Sequence, residues 1–497
     1  PVLLGLLIAV AVAAGTASSS GRLKKAIKPA PVWTAAELNA PSADNWLNYY
    51  GNLKGWRYSS LKQITTSNVA NLKEVWHMSL GVCTDAVKAR STPPNATNCG
   101  SMESNPTVVD GVLYTQAAPD GDVFAIDGLT GAIIWKWHPS YAGQFLKSGA
   151  AYNPGTGGRR AGVAVAEGKV FAGLPDGRLV ALEQVSGKVL WEDAVGSYKN
   201  NSKISTAPIY ANGIIYVGDG SGDGGGVSAS MQAFSAANGR RLWTWSAIPA
   251  PGQPGSETWT NDGKGGNGSS LYGGGSIWES PIFDTNLKML YVGTGNPEPW
   301  NSRGPGMNLY TNSVVALDMY TGQLKWYFQN THHDLWDSDF PNNGVIFDAK
   351  YNGVMRKGVA YVNKVGMTFV IDRITGKPLI PVDEVPVPQS TAPDVNTWPT
   401  QPVPRTSNVL FNPGGYRNNS KYNTGVNSGI PCTTPDATTS AGVPYATATA
   451  PDGKPYKIGC SYDPYDTTQY VVTPFENMDW PASSYSPENN TMITCGV

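Results

Sequence analysis

One short pattern recurs along the chain and constrains the fold more than any other feature. Each copy has an apolar run, a turn that contains glycine, and a second apolar run that closes on tryptophan. The four full copies are residues 124–135, 180–191, 232–243 and 315–326. A fifth copy, at 370–379, lacks the tryptophan. The glycines at 131, 187, 239, 322 and 376 are 56, 52, 83 and 54 residues apart. A period of roughly 50 residues is typical of repeat architectures.

The first repeat can be divided into four strands. Residues 106–109 form the first strand and end at Asp110-Gly111, a dipeptide typical of tight turns. The other three strands, with turn dipeptides between them, are residues 112–115, 123–127 and 133–137. Four short strands with regular turn signals form an antiparallel meander. The pattern therefore predicts an all-β β-propeller of four-stranded blades, with each closing tryptophan between neighbouring sheets. A β-sandwich with glycine turns is the alternative, but it does not require so regular a spacing.

The composition agrees with a turn-rich, all-β chain. Its 497 residues include 57 Gly, 38 Pro and 16 Trp, and only 15% of them are charged. That number of tryptophans supplies one or more for each blade. Nucleic-acid-binding proteins usually carry a strongly basic surface, so the net charge of −1 gives no indication of nucleic-acid binding.

The first 20 residues resemble a targeting segment. Residues 2–14 are apolar or small, and this run is too short to span a bilayer comfortably. Residues 15–17 offer a cleavage site of the small-x-Ala type. Basic residues follow at 22, 24 and 25, so both a cleaved signal peptide and an uncleaved anchor stay open. Either one predicts an exported protein, periplasmic or secreted, that touches a membrane only through this segment, and the chain start is expected to be incomplete.

The five cysteines suit an exported protein, because disulfides persist in oxidising compartments. Cys83 and Cys99 bracket one polar loop, and Cys432 and Cys460 bracket another. Two disulfides are predicted, 83–99 and 432–460, with Cys495 left over. Five cysteines also leave other pairings open.

The rest of the chain divides into a linker at 21–44 and a propeller at 45–497. Within the propeller, residues 75–80 are predicted as a lone strand. The predicted blades are at about 104–137, 161–195, 205–245 and 276–328, with a further one from about 357. The periodicity fails at about 378–468, a stretch rich in Pro, Thr, Ser and Asn. We expect this stretch to be an ordered excursion over one face. About five to six units can be counted, which leaves open the alternative that the sequence is a fragment of a larger ring.

Several longer stretches resemble one family. They are residues 45–72, 103–111, 278–281, 290–301 and 398–404. Together they resemble the pyrroloquinoline quinone (PQQ)-dependent alcohol dehydrogenases, which are exported eight-bladed propellers. The resemblance implies PQQ in the central channel over Ca²⁺, with the ion acting as a Lewis acid. A carboxylate would take the alcohol proton while hydride moves to the quinone. It also implies a small alcohol as substrate and an exported electron acceptor such as a cytochrome.

The resemblance carries roles to single residues. The implied cofactor contacts are Glu103, Arg160, Ser205, Trp278, Lys364, Asp479 and Trp480. Trp278 would form the aromatic floor beneath the quinone, and Lys364 would reach the quinone oxygens. An extra Ala161 leaves open whether Arg159, Arg160 or neither of them binds the cofactor carboxylate. The implied Ca²⁺ ligands are the Asn296 amide oxygen and Asp223, and oxygen ligands suit this cation.

The departures from the family pattern affect the catalytic residue. The resemblance places the base in the run 306–310, where this chain has Met307, and methionine cannot accept a proton. Asp479 precedes Trp480 where the family has Asn, so it is a candidate replacement, and the catalytic residue is left unassigned. The pair His332-His333 is interpreted as structural, because adjacent side chains on a strand point in opposite directions. Two hypotheses follow: a PQQ- and Ca²⁺-dependent alcohol oxidoreductase, or a non-catalytic propeller of the same ancestry used for binding or as a scaffold.

Overall fold

A computed structural model describes most of the chain. The described residues are 25–80, 104–117, 120–144, 162–200, 202–220, 227–259, 273–299, 305–393, 395–405, 416–417, 430–433, 437–439, 441–464, 466–473 and 482–495. Within them the regular structure is almost entirely β. The helical elements there are one α-helix, Ala35–Asn39, and the 3₁₀ turns Val69–Asn71, Tyr198–Asn200 and Ser256–Thr258. None of the described helices has the length and apolar character needed to cross a bilayer.

Four antiparallel sheets have four strands each, joined in sequence order. Blade 1 comprises Thr107–Val109, Val112–Ala117, Asp122–Asp127 and Ile133–Trp137. Blade 2 comprises Val163–Ala166, Lys169–Gly173, Arg178–Glu183 and Val189–Ala194. Blade 3 comprises Ile209–Ala211, Ile214–Gly218, Ser230–Ser235 and Arg241–Ser246. Blade 4 comprises Ile282–Asp284, Met289–Gly293, Ser313–Asp318 and Leu324–Gln329. The first strands of blades 1 and 2, of blades 2 and 3, and of blades 4 and 5 contact each other, as the innermost strands of a propeller do.

A fifth sheet and several strand pairs follow. Blade 5 comprises Val345–Tyr351, Val354–Val362 and Thr368–Asp372. The antiparallel pairs are Gly273–Gly274 with Pro297–Glu298, Val382–Pro386 with Thr400–Pro404, Tyr416–Arg417 with Ile430–Pro431, and Ser484–Ser486 with Thr491–Ile493. Tyr456–Ile458 pairs in parallel with Tyr470–Val472. The predicted Cys432–Cys460 disulfide is present in this region. Cys495 is an exposed thiol, and Cys83 and Cys99 lie outside the described residues.

Each closing tryptophan packs on the glycine turn of the next blade, as predicted. A Cβ atom added to Gly187 would lie 2.8 Å from the Trp135 ring. The corresponding distances are 2.6 Å for Gly239 and Trp191, 2.5 Å for Gly322 and Trp243, and 2.7 Å for Gly376 and Trp326. These glycines have φ between 69° and 76°, a region that side chains disfavour. Two separate constraints therefore require glycine at each turn. One is the positive φ of its backbone, and the other is the tryptophan ring that leaves no room for a Cβ.

Trp76 makes the same contact one step earlier in the chain. A Cβ on Gly131 would lie 2.7 Å from its ring, and its indole N–H donates to Gly128 O at 3.0 Å. Trp76 thus takes the place of the closing tryptophan of a blade before blade 1. The prediction of a strand at 75–80 is wrong for the described structure, because no described residue pairs with this segment in a ladder.

Blade 5 begins earlier than the predicted position near 357. Its first strand, Val345–Tyr351, pairs with Val354–Val362 over seven residues and turns at Asn352-Gly353. Only Val345 and Ile346 of that first strand are buried, and the remainder mixes charged and aromatic residues. The apolar pattern was therefore too weak to mark it.

Candidate active site

The connections of blades 4 and 5 bring a group of polar and aromatic side chains together. Trp278 precedes the first strand of blade 4, and Asn296 follows its second strand. Asp337 and Asp339 precede the first strand of blade 5, and Lys364 follows its second strand. In an antiparallel meander, the start of strand one and the end of strand two lie at the same end of the sheet. Two neighbouring blades therefore present these five residues at one end.

Trp278 and Lys364 are connected through Asp339. The Trp278 indole N–H donates to Asp339 Oδ2 at 3.1 Å, and the Lys364 backbone N–H donates to Asp339 O at 3.0 Å. The Lys364 ammonium lies 5.5 Å from the centroid of the Trp278 ring, within the range of a cation–π interaction. Two residues that the resemblance assigns to the cofactor are thus in direct contact.

Asp337 and Asp339 both interact with the Lys364 ammonium. Lys364 Nζ lies 2.8 Å from Asp337 Oδ2 and 3.5 Å from Asp339 Oδ2, and Lys364 is only 7% exposed. Burial raises the pKa of Asp337, and the neighbouring charge of Asp339 raises it further, while Lys364 acts in the opposite direction. The result is a pKa of about 9. Asp337 therefore holds a proton at neutral pH and can exchange it under mildly alkaline conditions.

Asn296 is oriented by its own neighbours. Its side-chain Nδ2 donates to Pro297 O at 3.2 Å and to Glu298 Oε1 at 3.5 Å. The residue is 3% exposed, and no described residue donates a hydrogen bond to its Oδ1, so this oxygen is available to a cation. A Cβ on Gly295 would lie 3.3 Å from both Asp339 carboxyl oxygens, so this carboxyl packs against the backbone next to Asn296. In the described part of the chain, no group of three or more His, Cys, Asp or Glu is arranged to hold a metal.

Ser205 lies at the entrance to blade 3. Its Oγ is buried and has no hydrogen-bond partner among the described residues. A Cβ on Gly220 would lie 2.5 Å from this oxygen, so the glycine makes room for the hydroxyl. A buried hydroxyl without a partner is costly unless a ligand satisfies it, which fits a polar ligand here. The other predicted site residues, Glu103, Arg159, Arg160, Asp223, Asp479 and Trp480, lie outside the described residues.

Met307 and the histidine pair belong to the support of the site. Met307 O accepts hydrogen bonds from Gln329 Nε2 at 2.9 Å and from the His333 backbone N–H at 3.3 Å. His332 Nδ1 lies 2.7 Å from Gln329 Oε1, and His333 Nδ1 lies 2.6 Å from Gly306 O. The His333 imidazole therefore joins two separate segments, whereas the His332 contact to Gln329 is local.

Sequence reasoning missed Asp337 and Asp339. The signal for them was the cluster of three aspartates at 334, 337 and 339, directly after the histidine pair. Acids so closely spaced in a buried loop are costly unless they serve a ligand or a proton transfer.

The fold and this site define a β-propeller in which one end of two neighbouring blades brings together an indole, an ammonium and two aspartates. Residues 46–494 match the PQQ family model described as glucose/ethanol/alcohol dehydrogenase, beta-propeller domain. The chain belongs to this family.

Relatives in the family share about a third of their aligned residues with this chain. It is 33% identical over 363 residues to a quinohemoprotein alcohol dehydrogenase of Comamonas testosteroni, covering 70% of this chain and 48% of the relative. It is 32% identical over 359 residues to the dehydrogenase subunit of an alcohol dehydrogenase (quinone) of Gluconobacter oxydans strain 621H, covering 68% of this chain and 44% of the relative. The chain thus spans about half the length of the curated relatives it matches.

Among solved structures, the quinohemoprotein alcohol dehydrogenase ADHIIG of Pseudomonas putida HK5 superposes with a TM-score of 0.63 at 26% identity. That superposition covers 93% of this chain and 58% of the other.

Proposed function

We propose that this propeller binds PQQ and a calcium ion and oxidises a small alcohol, with Asp337 as the residue that accepts the alcohol proton. The observation that supports it most directly is the 2.8 Å contact between Lys364 Nζ and Asp337 Oδ2 beside Trp278. Family membership supports the cofactor and the reaction class. The resemblance places the catalytic base at position 307, where this chain has methionine. In this proposal, Asp337 is the proton acceptor instead.

The described residues fit the cofactor. PQQ is flat and carries three carboxylates, so it needs an aromatic surface and several donors. The Trp278 ring, the Lys364 ammonium and the Ser205 hydroxyl provide these. The Asn296 oxygen would contribute to holding calcium, together with Asp223 as implied by the resemblance. When bound, PQQ supplies the quinone carbonyl that accepts a hydride, and calcium polarises that carbonyl.

The chain's own contribution is proton transfer and orientation. The alcohol loses its hydroxyl proton to the Asp337 carboxylate as it loses a hydride from carbon, and leaves as an aldehyde or ketone. Lys364 helps to keep a fraction of Asp337 ionised. General bases of this kind contribute roughly 10²–10⁴-fold to a rate.

We also propose that the protein is exported and passes electrons to an external acceptor such as a cytochrome. The apolar N-terminal segment and the cysteines support export. The names of the relatives, a quinohemoprotein and a dehydrogenase subunit, support a cytochrome-type acceptor.

A second candidate is a non-catalytic binding propeller, which the methionine at position 307 favours. The test is reconstitution with PQQ and Ca²⁺, followed by absorbance for quinone binding and dye reduction with short alcohols. Asp337→Asn is expected to bind quinone and to lose roughly 10²–10⁴-fold in kcat, while Asp44→Asn, at an exposed carboxylate, keeps wild-type kcat. Wild-type kcat in Asp337→Asn contradicts the base assignment. Quinone binding without any wild-type dye reduction supports the non-catalytic candidate.

A further inference from the structure

We propose that Trp336 is a positioning residue for Asp337, and that a turn of the excursion closed by the Cys432–Cys460 disulfide holds Trp336 in place. This inference rests on the proposed function, because it concerns the residue assigned there as proton acceptor. It adds a covalently braced support outside blades 4 and 5, contributed by a part of the chain more than a hundred residues away.

The loop that carries Asp337 has an unfavourable backbone. Asp337 has φ +61°, a left-handed conformation that non-glycine residues rarely adopt. Asp334 stabilises the loop from within, because its carboxylate accepts from the Trp336 N–H at 2.8 Å and the Ser338 N–H at 2.7 Å. These two amides flank Asp337. Residues in such conformations persist only where the surrounding structure holds them.

Trp336 links this loop to the excursion. Its indole N–H donates to Asp463 O at 2.8 Å. Its ring meets Tyr462 edge to face, with centroids 5.5 Å apart, and Tyr462 is fully buried. The residue adjacent to Asp337 is therefore fixed at both its backbone and its ring.

The turn that receives Trp336 is itself closed. The Asp463 N–H donates to Cys460 O at 3.0 Å, and the Cys460 N–H donates to Asp463 Oδ2 at 3.0 Å. The disulfide joins Cys460 to Cys432, and the Thr433 N–H donates to Gly459 O at 3.0 Å. The disulfide, the turn, Trp336 and Asp337 thus form one continuous series of contacts.

The first test is Trp336→Phe, which keeps an aromatic ring against Tyr462 and removes the donor to Asp463 O. We expect kcat of the reconstituted enzyme to fall roughly ten- to hundredfold through misplacement of Asp337. The KM for the alcohol and the affinity for PQQ should change less than about twofold, because neither depends on where the proton acceptor points. The matched control is Trp56→Phe, which removes an equivalent indole bond of 2.7 Å to Ile346 O on the first strand of blade 5, away from residues 333–340, and should keep wild-type kcat.

The second test is the double substitution Cys432→Ser with Cys460→Ser. The disulfide and the Trp336 indole belong to one series of contacts. The loss in kcat when the cysteine substitutions are combined with Trp336→Phe should therefore be no larger than the loss from the stronger change alone. Additive losses in kcat, or wild-type kcat in Trp336→Phe, would overturn the proposal.

Hydrogen exchange of the protein without cofactor gives a readout that is independent of activity. Amides of residues 333–340 should exchange faster in Trp336→Phe and in the cysteine variant than in wild type, with blade 2 unchanged as the internal measure of folding. Unchanged exchange at 333–340 contradicts the positioning role even if wild-type protein shows no dye reduction. Absent wild-type dye reduction with faster exchange in the variants instead contradicts the proposed function alone.

Discussion

Asp337 and Asp339 both lie within ion-pair distance of the Lys364 ammonium, in surroundings that exclude most water. Two carboxylates and one ammonium leave an excess negative charge when both acids are ionised. A buried excess charge is unfavourable, so the pair retains a proton well above the usual carboxyl range. The proton acceptor is thus kept partly protonated by its own neighbours.

The pH dependence of the reaction follows from this proton. In the proposed reaction, Asp337 accepts the alcohol proton only when it is ionised, and its pKa is about 9. Since the ionised fraction grows about tenfold per pH unit below the pKa, kcat/KM should rise with pH and level off above about 9. Lys364→Met removes the positive charge beside Asp337, which raises the pKa of Asp337 and moves the rise to higher pH. Stopped-flow dye reduction across pH measures this.

The control for that measurement is Lys357→Met, at an exposed lysine on the strand Val354–Val362, which Lys364 follows. Its profile should match wild type. A flat wild-type profile, or a rise moved to lower pH in Lys364→Met, would contradict the assignment of Asp337.

At the scale of the blade, the glycine turns carry two separate constraints that substitution can distinguish. Gly187 has φ +72° and the Trp135 ring 2.8 Å from a potential Cβ, whereas Gly353 has φ +76° and open space around it. Gly353→Ala therefore adds backbone strain alone, about 1–2 kcal/mol. Gly187→Ala adds overpacking of about 1–3 kcal/mol to that strain. Thermal or denaturant unfolding should show the larger loss for Gly187→Ala, and equal losses would show that the ring contact contributes nothing.

Most of the blade architecture could be predicted because its signals are local. The glycine turn and the closing tryptophan lie within one twelve-residue stretch, and the contact between blades repeats that stretch. The first strand of blade 5 escaped prediction because only two of its seven residues are buried. When few residues of a strand are buried, its sequence shows little apolar pattern even if all of its residues pair with the neighbouring strand.

The site was less predictable because it is assembled across sequence. Trp278 and Lys364 were named from resemblance, but their contact through Asp339 depends on how two blades lie side by side. Nothing near Asp337 in sequence indicates that an ammonium 27 residues later will pair with it. Met307 was placed at the base position by a motif, and only the fold shows which carboxylates lie next to Lys364.

At the scale of the whole molecule, binding of the proposed cofactor should stabilise the folded chain. A ligand that binds only the folded state at about a hundred times its Kd adds about 2.7 kcal/mol. PQQ with Ca²⁺ should therefore raise the Tm by several degrees.

The Asn296→Ala variant should need more Ca²⁺ for the same rise in Tm. The control Asn286→Ala, on an exposed turn of the same blade, should need no more Ca²⁺ than wild type. No rise in wild type, or an unchanged Ca²⁺ requirement in Asn296→Ala, would contradict the proposed cofactor site.

The contact between blades also has a direction, since each tryptophan reaches forward to a glycine that comes later in the chain. During synthesis on the ribosome, a finished blade therefore displays its indole before the following turn has emerged. The glycine turn of each new blade can therefore pack on the tryptophan of the preceding blade as soon as it is synthesised. This contact does not depend on the blade that follows. The propeller can thus be assembled from the N-terminal side onward, as each blade packs on the indole of the blade before it.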